Sequence, residues 1–86
     1  MASGKGGLTD LERRILQFFC EHPAAVETVR GIASWTGDEQ GAVQEAAQIL
    51  SKRKWLTADE TSVVTGYSLT RDERCLAQIH EVLGAA

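Results

Sequence analysis

The chain has 86 residues, 43% of them apolar and 24% charged, the balance of an ordinary folded protein large enough for one small domain. Nine basic residues against twelve acidic ones give a formal charge of -3, which excludes any whole-molecule attraction to nucleic acid or anionic lipid; binding to either needs a local basic patch. No run of about 18 apolar residues is present to span a membrane. Two cysteines, Cys20 and Cys75, are too few for a disulfide framework and are expected as reduced thiols in a cytoplasmic protein.

The opening "MASGKGG" has one Lys and no apolar stretch behind it, so residues 1–7 read as a flexible leader and residues 8–84 as a single domain. "TDLE" then fits a capping box, with Thr9 and Glu12 exchanging bonds with each other's backbone at the start of a first helix. Leu11, Ile15, Phe18 and Phe19 share one face of it, Leu16 and Cys20 form a second apolar strip, and Pro23 ends it. "AVET" (25–28) predicts a short isolated strand. Thr28 can cap a second helix over about 29–35 with Val29, Ile32 and Ala33 inward, and Gly37 supplies the left-handed residue that stops it.

The third helix is expected from about Asp38 to Arg53. Val43, Ala46, Ala47 and Leu50 fall on one arc and form its core stripe, while Gly41, Gln44, Glu45, Gln48 and Lys52 fall opposite. Lys52, Arg53 and Lys54 sit where cations offset the helix dipole. "WLTA" and "VVTGYSL" read as two strands with "DETS" as the turn between them. "TRDE" (70–73) repeats the capping-box pattern and opens a last helix whose apolar side is Cys75, Leu76, Ile79, Val82 and Leu83. The result is a mainly α chain with a small β-hairpin, an α+β class, in the order helix, short strand, helix, helix, strand, wing, strand, helix.

That order, with "IASWTGDEQGAVQEAAQILSKRKWL" at its centre, resembles the winged helix-turn-helix of bacterial regulators of the MarR and related families. The residues that carry the resemblance are Ala33, Gly37, Val43 and Leu50: a small residue, a turn glycine four positions later, and two apolar anchors of the third helix. "YSLT" (67–70) is similar to the way those families leave the wing strand. Lys54 stands where the family often has Gly, so the exit from the third helix is expected to be less relaxed.

The resemblance implies a DNA-binding module whose third helix lies in the major groove. By position its reading face is Gln40, Gly41, Gln44, Glu45 and Gln48; the glutamines can bond adenine in bidentate fashion, Glu45 can accept from cytosine, and Gly41 allows close approach. Candidate phosphate partners are Arg13, Arg14, Arg30 and Lys52. Asp38 and Glu39 at the helix start, and Asp59 and Glu60 at the wing tip, oppose a polyanion, so DNA binding is expected to be weak and salt-sensitive.

The second reading is a winged helix that binds protein and leaves DNA alone. Acidic residues on the wing and third helix suit a basic partner. "LERRIL" (11–16) resembles the opening of the protein-binding winged helix of the replication protein A middle subunit, and Trp35 reads either as an exposed anchor or as a cover on the edge of the core. A homodimer through the last helix is a further expectation, with Leu16, Cys20, Leu76, Ile79 and Leu83 as the candidate contact. No membrane partner and no cofactor are expected. Cys20, His22, Cys75 and His80 lack zinc-ligand spacing, and the chain carries no phosphate loop and no nucleophile motif, so an enzyme is not expected.

Overall fold

A computed structural model describes residues 8–61 and 63–84; the leader expected over 1–7 lies outside them. Seven elements follow in chain order: α1 (Asp10–Glu21), β1 (Val26–Thr28), α2 (Val29–Thr36), α3 (Gln40–Lys52), β2 (Leu56–Asp59), β3 (Gly66–Leu69) and α4 (Glu73–Gly84). This is the expected order.

Local chemistry sets most of the boundaries. The α1 capping box forms as expected, with the Glu12 N–H donating to Thr9 Oγ1 and the Thr9 N–H to Glu12 Oε1, both at 3.1 Å. At α2 the Gly31 N–H donates to Thr28 Oγ1 (3.0 Å), and Gly37 ends the helix at φ +82°. Two starts differ from expectation. The Asp38 N–H donates to Thr36 Oγ1 (3.2 Å) and the Asp38 carboxylate turns toward Arg14, so α3 begins only at Gln40, with Glu39 as an N-cap that makes no side-chain bond. "TRDE" does not form a capping box either. Thr70 Oγ1 accepts from the Asp72 N–H (3.1 Å), and Asp72 then accepts from the Arg74 N–H (2.9 Å), so Asp72 holds the first turn of α4.

The exit from α3 is the one strained point in the described backbone. The Lys54 N–H donates to Ser51 O (2.9 Å) and the Trp55 N–H to Leu50 O (3.1 Å), the bond pair of a Schellman ending. That ending puts Lys54 at φ +68°, a region where a Cβ crowds the chain. Lys54→Gly should therefore raise stability by about 1 kcal/mol, read as a higher urea midpoint at unchanged slope. The next residue, Trp55, is buried, and its indole N–H donates to Gln78 Oε1 (3.1 Å), tying α4 to the end of α3.

The strands form one antiparallel sheet in the order β1-β3-β2. β1 is therefore not isolated: Val26 to Thr28 pair with Ser68 to Gly66, and β2 pairs along the other edge from Leu56↔Leu69 to Asp59↔Gly66. Val63 and Val64, expected in the second hairpin strand, lie instead in the β2–β3 connection and are exposed. The ladder stops at Asp59, whose carboxylate accepts from the Thr61 N–H (3.0 Å) and hydroxyl (2.7 Å) and turns the chain.

One apolar cluster holds these elements together. Ile15, Leu16 and Phe19 of α1, Ile32 of α2, the full expected stripe Val43, Ala46, Ala47 and Leu50 of α3, Leu56, Tyr67 and Leu69 of the sheet, and Ile79 of α4 are all buried in it. Both apolar faces of α1 are thus packed, as its two strips require. Glu12 is also buried, but its carboxylate is satisfied by the cap.

Candidate nucleic-acid interface

Burying Val43, Ala46, Ala47 and Leu50 leaves the opposite side of α3 in solvent: Gln40, Gly41, Gln44, Glu45, Gln48 and Lys52 are all exposed. The structure divides this face in two. Gln40, Gln44, Gln48, Ser51 and Lys52 line one wall of a groove of about 730 Å³. The start of α2 (Val29, Arg30) and the hairpin (Ala58, Glu60, Val63, Val64, Thr65, Tyr67) complete it. Glu45 falls outside, in a separate depression beside Thr9, Leu11 and Glu12. Gly41 lies off the groove as well, and a Cβ built there meets nothing within 4 Å, so no packing in the described fold requires a glycine.

The candidate cations are not brought to one place. Arg30 and Lys52 stand in the groove. Arg13 reaches the far end of α4, its Nη1 donating to Val82 O at 3.3 Å, where a cation offsets the carbonyl end of that helix. Arg14 is held between two carboxylates, Asp10 Oδ2 at 3.3 Å and Asp38 Oδ2 at 3.0 Å. A continuous basic strip from Arg13 and Arg14 past Arg30 to α3 is therefore absent among the described residues. The same pairing offsets the Asp38 charge that stood against DNA. Arg53 lies over the Trp55 ring, 5.0 Å from its centroid.

Apart from Glu60, the hairpin wall of the groove is not among the residues that the sequence singles out. Its signal is the two-residue spacing of Thr65, just ahead of β3, and Tyr67 within it, both of which line the groove. Burial, then the nearby Glu60 carboxylate, push the Tyr67 phenol above its ordinary range, so at neutral pH it keeps its proton. The Thr61 backbone N–H, then its hydroxyl, hold the Asp59 carboxyl below the usual carboxylate range, so the hairpin tip stays anionic.

Of the candidate contact for a second copy, Leu16 and Ile79 are fully buried within the chain and offer no area to a partner. Cys20, Leu76 and Leu83 remain half-buried. Burial, then the Glu21 charge, raise the Cys20 thiol above its ordinary value.

No family model and no curated protein matches the chain. Solved structures do. A protein described as a possible transcriptional regulator from Methanosarcina mazei Go1 superposes with a TM-score of 0.75 at 13% identity, over 91% of this chain and 69% of its own. The transcriptional regulator BldR from Sulfolobus solfataricus gives 0.68 at 19% identity, over 93% of this chain and 58% of its own. The fold is a winged helix-turn-helix. Its wing is the β2–β3 connection, and its third helix is α3. A cysteine-to-serine mutant of Lactococcus lactis ZitR, solved in complex with DNA, gives 0.65 at 22% identity, over 99% of this chain and 61% of its own. The chain thus spans between 58% and 69% of the length of these winged-helix structures. No helix among the described residues is long and apolar enough to cross a membrane.

Proposed function

We propose that this winged helix is a DNA-binding domain of the transcriptional-regulator type, with α3 as its recognition helix. The observation that carries the reading is the groove that Gln40, Gln44 and Gln48 of α3 line together with Arg30 and Lys52. A row of amides can bond adenine edges, and the two cations in the same groove can neutralise phosphates. ZitR, similar in fold, has been solved with DNA. A homodimer through α4, using the half-buried Cys20, Leu76 and Leu83, belongs to the same proposal because it would double the phosphate contacts.

The wing favours a second reading, a protein-binding winged helix. Glu60 faces the groove, Asp59 is anionic, and Val63 and Val64 are exposed at the tip, a surface suited to a basic and partly apolar protein. Titration with random duplex DNA at low and moderate salt separates the two. The DNA reading expects binding at low salt, with log affinity falling against log salt at a slope of about -2 for one copy and about -4 for a dimer. No binding at low salt sinks the DNA reading and leaves the second.

A further inference from the structure

A second surface lies at the C-terminal ends of α1 and α2 and shares no residue with the groove. Trp35, in the last turn of α2, stacks on Phe18 of α1 with ring centroids 4.4 Å apart and planes 30° apart. Phe18 is braced in turn by Phe19, edge-on at 5.4 Å, and by His22 at 4.8 Å. Trp35 is nonetheless 41% exposed. One part of its indole is used within the fold and the rest faces water beside a depression of about 310 Å³.

The charges around this depression are one-sided. The one cation among the described residues that line it, Arg14, is already paired with Asp10 and Asp38. Glu21, also lining it, has no ion-pair partner among the described residues. Both α1 and α2 end here, and neither carries a basic residue in its last turn, so two carbonyl ends add to the negative field. An indole face is itself electron-rich. A rigid aromatic shelf, an uncompensated carboxylate and two bare helix ends together ask for a cation. Guanidinium fits best, because it is planar enough to stack on indole while its fork of N–H groups reaches a carboxylate.

We propose that the Trp35–Phe18 shelf docks an arginine side chain presented by a basic segment of a partner protein, with the guanidinium stacked on Trp35 and paired with Glu21. The net charge of -3 favours such a partner over the whole molecule. The site stands whether or not the groove binds DNA.

The test is a titration of the full chain, followed by amide and indole NMR resonances, with a capped peptide of alternating arginine and glycine. A lysine–glycine peptide of equal charge serves for comparison. The Trp35 indole resonance is expected to shift. The Trp55 indole, buried and bonded to Gln78, should stay, as should the Gln44 and Gln48 amides in the groove. Glu21→Gln, at an exposed helix end where it leaves the core intact, should weaken arginine-peptide binding about fivefold, and the lysine peptide should bind weaker by a similar factor. An unmoved Trp35 indole overturns the proposal. So does a response centred on Asp59 and Glu60, or equal affinity for both peptides and for Glu21→Gln.

Discussion

Phe19→Ala is expected to cost about 3–5 kcal/mol of stability, at the top of the range for a single core truncation. Phe19 heads the fully buried side chains by volume and sits in the one cluster that joins all four helices to the sheet. Removing its ring leaves a cavity that helices held by short links cannot collapse to fill. A chain of 86 residues has on the order of 4–13 kcal/mol in all, so the variant loses between about a quarter of its stability and the whole of it. Urea denaturation followed by far-UV circular dichroism reads the loss directly. A midpoint that moves by less than the equivalent of about 1 kcal/mol would mean the cluster is not packed as described.

The second large effect concerns the groove. The double substitution Arg30→Ala and Lys52→Ala should weaken binding to random duplex DNA by about tenfold to a hundredfold at low salt, and should flatten the salt slope by about 2 per chain. Both side chains are exposed, so the fold should be unchanged. The matching substitution of Arg13 and Arg14 is the informative control. Arg13 is engaged with Val82 O, and Arg14 with Asp10 and Asp38, so their loss should leave the slope nearly intact. If the control pair flattens the slope and the groove pair does not, DNA meets a different face of the domain.

Sequence-local features were legible wherever bonding partners lie within one turn of each other. Thr9 with Glu12, Thr28 ahead of Gly31, and Gly37 at its left-handed φ are separations of a few residues, and the backbone there has few alternatives. Helical periodicity likewise picked out the whole buried stripe of α3. Reading failed where two local options had similar chemistry. At Thr70 the hydroxyl could accept from the first turn of a helix or from the nearer Asp72 N–H, and the nearer turn won; at Asp38 the N–H turned back to Thr36 Oγ1 and the carboxylate went to Arg14. Val63 and Val64 are strong strand formers by type, but a strand residue needs a facing partner, and β2 had already turned away at Asp59.

The amino-acid sequence by itself determined the seven elements, their order and the buried face of α3, because each depends on chain neighbours and on a fixed helical or strand period; the strained exit at Lys54 was implied by the family resemblance. Only the tertiary structure decided that β1 joins β3, that the wing closes a groove against Gln40, Gln44 and Gln48, and which arginines face it. Arg14 meets its second carboxylate, Asp38, 24 residues away and Arg13 its carbonyl 69 residues away. A long, flexible cation takes the best acceptor that packing brings within reach, and no local spacing carries that information.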